Sequence, residues 1–423
     1  MDITIPKSKG LKGTYLIPGD KSISHRAMMI SALAEGVSEI HGYSAAADPQ
    51  STRRCFSDLG ITIEEHNDVL QVQGKGLHGL HVSGKNLDCG NSGTTMRLLS
   101  GIMAGQKFSS TLVGDESLSR RPMKRIMNPL HLMGARIQGT AEQTAPLHIQ
   151  SVDRLKAIRY EMPVASAQVK SSVLFAGLYA DGETTVVEST PTRDHTERML
   201  GCTINHENGK YVVKVQGGKK ISSDLFIVPG DISAATFLIV AASIVPNSEI
   251  KISNVGLNPS RKEILSVLQS IGCNIVIENQ RVVSGEEMGD LVVQSSKLHG
   301  DLQIQGATVA ALIDEIPALA IAALFIEGTF TLHNAKELRA KETDRITALV
   351  TNLCALGAEV EEYEDGFSFA GRQRLQGTTL ASYDDHRIAM AFGVAGLQVE
   401  GITIRDAGCV DISFPDFWKQ ILR

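Results

Sequence analysis

An Ala-rich apolar stretch followed by a turn and a β-branched run recurs six times along the chain. The copies are ALAEGVSEI (32–40), IMAGQKFSSTLV (102–113), LYADGETTVVE (178–188), ASIVPNSEIKI (242–252), LFIEGTFTL (324–332) and LQVEGITI (397–404). Their turns fall about 65–80 residues apart, too long for common solenoid repeats and suited to a small αβ unit. A second phrase lies between them: DLGITI, LMGARI, MLGCTI, IGCNIV and ALGAEV. Each predicts a helix stopped by Gly and followed by a strand.

The simplest assembly is six βα-type units in two domains of three. Pro18-Gly19-Asp20-Lys21-Ser22 and Pro229-Gly230-Asp231-Ile232-Ser233 stand half the chain apart, each between an apolar run and an Ala-rich helix. The chain is expected to pass between domains at these two points. One domain then holds about 20–229 and the other 1–19 plus 230–423. No low-complexity linker separates them, so two short crossings forming a hinge are expected. Helices such as 318–326 and 388–396 are small and apolar on most faces, which predicts burial. With strands and the more polar helices outside, the expected α/β fold is the reverse of the usual barrel.

Composition narrows the function. The 423 residues are 43% hydrophobic and 21% charged, as in globular enzymes and unlike a disordered chain. A net charge of -6, with 5% aromatics and the single Trp418, gives no support for nucleic-acid or membrane-surface partners. The six cysteines, at 55, 89, 202, 273, 354 and 409, form no C-x-x-C pair, so neither a zinc site nor a disulfide framework is expected. Cys202 and Cys273, each after a Gly, are expected as compact core fillers. The start MDITIPKSKG lacks the order of a signal peptide. The longest apolar runs are about half the ~20 residues that span a bilayer. A soluble cytoplasmic setting is expected.

The helix starts carry the chemistry. They read PGDKS, CGNSGT, PVASAQ, PGDIS, IDEIP and SYDDHR. Gly, Ser, Asp and Asn there are N-cap residues, and capping explains any one of them alone. Several helix N-termini facing one cleft would also make a strong anion site. Lys21 and Arg26 are Ile232 and Phe237 in the second Pro-Gly-Asp copy, so the turn itself does not require cations. His25 is as well explained by packing as by chemistry. Two further cationic groups, Arg120-Arg121 with Lys124-Arg125 and Arg339 through Arg345, admit ordinary readings as a solvated loop and a surface i,i+3 pair (Glu342 with Arg345). Arg387 has no structural reason to open a buried helix. Gly74-Lys75-Gly76-Leu77-His78-Gly79 matches G-x-G-x-x-G, but no helix or acid follows at the spacing a dinucleotide site needs.

PGDKSISHRAMM, CGNSGTTMR, MPVASAQVKSSVLFAGL, LIDEIPALA, RAKETDR and DDHRIAMAF together resemble, in order, the motifs of the 5-enolpyruvylshikimate-3-phosphate synthase family over nearly the whole chain. The resemblance implies a two-domain inside-out α/β barrel of six βαβαββ-type repeats, with the active site in the cleft between the domains. It implies transfer of the enolpyruvyl group of phosphoenolpyruvate to the 5-hydroxyl of shikimate 3-phosphate, without metal or organic cofactor, in a monomer. These substrates bring roughly six negative charges together, which calls for cations and helix N-termini.

By the same resemblance Lys21, Ser22, Arg26, Ser166, Ala167, Gln168, Arg193, Asp314 and Lys341 hold shikimate 3-phosphate. Lys21, counted among the catalytic residues, also reaches phosphoenolpyruvate, whose site is lined by Gly93, Arg121, Gln168, Glu342, Arg345 and Arg387. Asp314 takes the proton of the 5-hydroxyl, and Glu342 delivers one to the methylene carbon. Some members carry a Lys where this chain has Ile412, so that cation is absent or supplied elsewhere. Two rivals are the related UDP-N-acetylglucosamine enolpyruvyl transferase and a non-catalytic anion-binding repeat protein. The first needs a loop cysteine near 105–125, which this chain lacks. The second leaves Asp314 and Glu342 unexplained.

Overall fold

A computed structural model describes Met1–Arg423 as two compact units. One is Met1–Pro18 with Pro229–Val282 and Glu287–Arg423; the other is Gly19–Val228 with Val283–Glu286. The chain therefore passes between them at Pro18–Gly19, inside the first Pro-Gly-Asp phrase, and at Val228–Pro229, where the second begins. The short run Val283–Glu286, between two strands of the first unit, belongs with the second.

One motif builds both units. In the Gly19–Val228 unit, strand Leu87–Asp88 leads into helix Gly93–Met103 and then strand Ser110–Val113. Helix Lys124–Leu132 and the strands Arg136–Gln138 and Leu147–Gln150 complete the repeat. The first two strands run parallel, with Leu87 opposite Leu112, and the last two close the sheet antiparallel. The same order, one parallel pair and then two antiparallel neighbours, recurs in five four-stranded sheets. The sixth unit is cut short. Strands Thr379–Ala381 and Thr403–Arg405 pair in parallel, and their antiparallel neighbour is the N-terminal strand Ile3–Thr4.

Two strands lie far in sequence from the repeat they complete. Lys12–Tyr15, ahead of the first crossing, pairs in parallel with Glu249–Gly256. Leu225–Ile227, ahead of the second, pairs in parallel with Glu35–His41. Each Pro-Gly-Asp phrase thus ends a strand of one unit and starts a helix of the other.

The repeated Gly phrase ends helices as expected. Gly60, Gly134, Gly201, Gly272 and Gly357 all have positive φ, between 58° and 92°. That left-handed turn stops the helix at little steric cost for Gly and starts the outgoing strand. The first helix of each repeat is enclosed: Ile232–Ile244, Ile316–Ala323 and His386–Gly396 are buried at every position and pack on one another. Small residues permit this. A Cβ on Gly101 would lie 2.1 Å from the carbonyl oxygen of Ser172, so helices Gly93–Met103 and Ala167–Gly177 touch backbone to backbone.

The glycines of the G-x-G-x-x-G match serve packing. A Cβ on Gly74 would come within 2.3 Å of the Ser31 carbonyl oxygen, and no helix follows Gly79. No cysteine is in a disulfide. Cys273 is buried as expected, Cys202 is half-buried and packs against the edge of the core, and Cys354 is exposed. No helix is long and apolar enough to cross a membrane.

Candidate active site

In the Gly19–Val228 unit, the charged candidates gather at three helix starts. Asp20 caps helix Lys21–Leu33 by accepting from Ile23 N at 2.8 Å, Ser92 caps the next through Thr95 N at 3.1 Å, and Ser166 the third through Val169 N at 3.4 Å. The capping frame and the candidate cations are therefore distinct groups. Lys21 donates to Asp48 at 3.0 Å. Arg26 is buried and donates from Nε to Thr196 Oγ1 at 2.6 Å, from Nη1 to the Ser22 carbonyl at 2.9 Å and from Nη2 to Ser171 Oγ at 2.8 Å. Burial pulls its pKa down to about 10, against the pull of Glu197 and Asp20. Arg26 thus also ties three helices together.

A chain of hydroxyls sets these helices in register. His25 Nδ1 lies 2.6 Å from Thr52 Oγ1, which lies 2.7 Å from Thr95 Oγ1, which donates to Ser92 Oγ at 2.8 Å. His25 is a packed histidine. Burial, then Lys21 and Arg26, hold its pKa well below the ordinary value.

Gly93, the first residue of its helix, leaves room beside two arginines. A Cβ there would lie 3.0 Å from Arg97 Nη1 and 3.6 Å from Arg121 Nη1. Arg121 is aimed by Asn91, donating to its Oδ1 at 2.7 Å and its carbonyl at 3.3 Å. Arg97 donates to Gln168 Oε1 at 2.6 Å, and Gln168 Nε2 donates to Thr94 Oγ1 at 3.0 Å. Arg97 has no role in the sequence reading. Its signal was its place in CGNSGTTMR, one helical turn after Gly93. Half-buried Arg193 lies in the loop before helix His195–Leu200, its charge felt at Arg26. Arg120, by contrast, is exposed and paired with Glu116, the solvated pair expected of most charge runs.

The other unit gathers the acids. Asp314 lies between helices Ala307–Leu312 and Ile316–Ala323. Its Oδ1 is 3.6 Å from Lys341 Nζ, 3.6 Å from Arg345 Nη1 and 3.9 Å from Arg387 Nε. Arg387 Nη1 also donates to the Asp314 carbonyl at 3.0 Å, a structural reason for a buried Arg that the sequence did not supply. The cap position of helix Ile316–Ala323 is Glu315, not Asp314. Glu342 accepts from Arg345 Nη2 at 2.7 Å.

The surface i,i+3 reading of that pair fails on two counts. Helix Arg345–Ala355 starts at Arg345 behind its cap Asp344, so Glu342 is off the helix, and the Arg345 side chain is only 1% exposed. Arg345 Nε donates to Asp385 Oδ2 at 2.7 Å, and Asp385 also caps its own helix by accepting from Arg387 N at 2.8 Å. Burial alone would lower the Arg345 pKa, but Asp385, Glu342 and Asp314 together raise it above its ordinary value. Ile412 ends a short 3-10 helix, Ala407–Ile412, and brings no cation. No group of three or more His, Cys, Asp or Glu is placed to hold a metal ion.

Repeated α/β units, arginines aimed at helix starts and a carboxylate set among three cations define an enzyme of multiply anionic small substrates. The profile of the EPSP synthase (3-phosphoshikimate 1-carboxyvinyltransferase) family matches residues 5–421. The chain is 50% identical over 425 residues to the 3-phosphoshikimate 1-carboxyvinyltransferase of Salinibacter ruber, covering 99% of this chain and 98% of that protein. It is 48% identical to that of Thermoanaerobacter sp. (strain X514), with 99% of each covered. An EPSP synthase structure from Acinetobacter baumannii is similar with a TM-score of 0.87 and 42% identity, covering 99% of this chain and 97% of that one. The chain belongs to the EPSP synthase family.

Proposed function

We infer that this chain is a transferase of the shikimate pathway. It moves the enolpyruvyl group of phosphoenolpyruvate to the 5-hydroxyl of shikimate 3-phosphate and releases phosphate. The observation that carries the reading is the acid set: Asp314 among Lys341, Arg345 and Arg387, with Glu342 on the same Arg345. Carboxylates can order cations in any anion site, but Asp314, shared at 3.6–3.9 Å among three cations, is also placed to take a proton, which a non-catalytic anion binder does not need. The 3-phosphoshikimate 1-carboxyvinyltransferases matched over the full chain, and the absence of cysteine from 105–125, weigh against the UDP-N-acetylglucosamine rival.

In the proposed mechanism, Asp314 accepts the proton of the 5-hydroxyl as that oxygen bonds to C2 of phosphoenolpyruvate. Protonated Glu342 gives its proton to the methylene carbon, forming a tetrahedral adduct. Phosphate then leaves C2 with the bonding pair and carries away the proton held by Asp314, while a methyl proton returns to Glu342, so the C=C bond is restored in an enol ether on the shikimate oxygen. Lys21, Ser22, Arg26, Ser166, Gln168, Arg193 and Lys341 hold shikimate 3-phosphate, with Ala167 giving backbone only. Lys21, Gln168, Arg121, Arg345 and Arg387 hold phosphoenolpyruvate beside Gly93, and the proposal adds Arg97 through its bond to Gln168. The acidic partners Asp48, Asp385 and Glu342 keep the cations ordered before substrate arrives.

The proposal extends to each unit as an inside-out α/β barrel, supported by its enclosed helices, and to a cytoplasmic monomer needing no cofactor. Phosphate release from phosphoenolpyruvate, measured with and without shikimate 3-phosphate, tests the activity. Release that does not depend on shikimate 3-phosphate would overturn it.

A further inference from the structure

A buried charge cluster lies against the loop that carries Arg193. Lys170, on helix Ala167–Gly177, is wholly buried, with Nζ 2.7 Å from Glu188 Oε2 and 2.6 Å from Glu197 Oε1; both carboxylates are at most 1% exposed. The ammonium also stands 5.4 Å from the centre of the Tyr211 ring. Removing three such charges from water costs several kcal/mol per ion, and well-packed apolar side chains often do as well or better. Stability alone is a poor reason for this composition.

What the cluster grips is informative. Glu188 ends strand Glu183–Glu188, and its Oε1 accepts from the Thr192 hydroxyl at 2.5 Å while its Oε2 accepts from the Thr192 N–H at 3.4 Å. Lys170 Nζ donates to the Thr192 carbonyl at 3.4 Å. On the far side of Arg193, Asp194 accepts from Arg198 Nε at 2.7 Å, and His195 Nδ1 lies 2.8 Å from Glu286 Oε1. Arg193 is thus flanked on both sides by tethered residues, at a place where its charge repels Arg26.

We propose that Lys170, Glu188 and Thr192 are positioning residues for Arg193, holding its guanidinium ready for an anionic group of shikimate 3-phosphate. This rests on the activity and the Arg193 role given above. A side chain ordered in advance has less ordering to do on binding, so loosening it weakens binding without altering the chemical step.

Thr192→Val keeps the branched shape and removes the hydroxyl. It should raise KM for shikimate 3-phosphate about 3–10-fold, with kcat and KM for phosphoenolpyruvate unchanged, because one hydrogen bond to a charged group is lost at a distance from the reacting atoms, and the same loss should lower the melting temperature by a few degrees. Thr192→Ser, which restores the hydroxyl, should return KM to the wild-type value. In an Arg193→Met background, Thr192→Val should change KM by less than about 1.5-fold, since residues acting through one another are not additive. An equal KM rise in both backgrounds, or a loss confined to kcat, would overturn the proposal. So would an Arg193→Met variant with wild-type KM. A wild-type enzyme with no transfer to shikimate 3-phosphate would instead refute the activity beneath it.

Discussion

Replacing Arg345 by Met should destabilise the ligand-free protein as well as stop catalysis. The Arg345 side chain is 1% exposed and its guanidinium joins Asp385, Glu342 and Asp314. Asp385 is fully buried. Without Arg345 its carboxylate keeps backbone donors, Arg387 N at 2.8 Å and Ile388 N at 3.3 Å. Breaking a buried ion pair by removing one partner costs about 3–5 kcal/mol, because a charge is left without compensation in the interior. The unit that contains Arg345 has roughly 200 residues, a size at which 1 kcal/mol moves the midpoint by about 2–4 °C. Arg345→Met should therefore lower its transition by about 6–20 °C in calorimetry at pH 7. A companion variant isolates the cause. Asp385→Asn retains a capping oxygen but removes the charge, so it should lower the midpoint in wild type and raise it in the Arg345→Met background. A midpoint for Arg345→Met within about 2 °C of wild type would refute the reasoning, since Arg345 would then hold substrate only.

Asp314→Asn should bind shikimate 3-phosphate normally in calorimetric titration yet lose two or more decades of turnover, on the order expected for a positioned base; near-normal turnover would remove Asp314 from the chemistry. His25 gives stability a pH dependence. Its folded pKa is depressed by burial and by Lys21 and Arg26, so below about pH 6.5 the unfolded chain takes up a proton that the folded one refuses. Stability should fall by about 1 kcal/mol per pH unit as pH drops from about 6.5, and His25→Gln should flatten that slope in urea titrations at pH 7 and 5.5; equal slopes would acquit His25. Thiol labelling at pH 7.5 should show one fast group, exposed Cys354, abolished by Cys354→Ser. Burial pushes the Cys202 thiol up to about 12 and that of Cys409 up to about 11, so neither supplies reactive thiolate; a fast phase surviving Cys354→Ser would contradict this.

The sequence by itself determined what short-range sterics and hydrogen bonds decide. Gly60, Gly134, Gly201, Gly272 and Gly357 stop their helices because a left-handed turn is cheap only without a Cβ. Asp20, Ser92, Ser166, Asp231 and Asp385 cap helices because their short side chains reach N–H groups two or three residues on. Buried helices were legible from runs of Ala and other small apolar residues, and the candidate cations from their absence in the second Pro-Gly-Asp copy. The tertiary structure alone decided which distant segments meet. Lys12–Tyr15 joins a sheet whose neighbouring strand begins more than 200 residues later, and Ile3–Thr4 completes one at the other end of the chain. Glu342 and Arg345 read in sequence as a solvated pair, because nothing local reveals that Asp385, forty residues on, takes Arg345 into the interior. Arg387 stood out as a candidate with no structural role until its bond to the Asp314 carbonyl appeared, and Arg97 had no role at all until Gln168 came within 2.6 Å. A charge's partners are set by non-local packing, and burial then decides whether the pair is a weak surface contact or a costly, ordered part of the site.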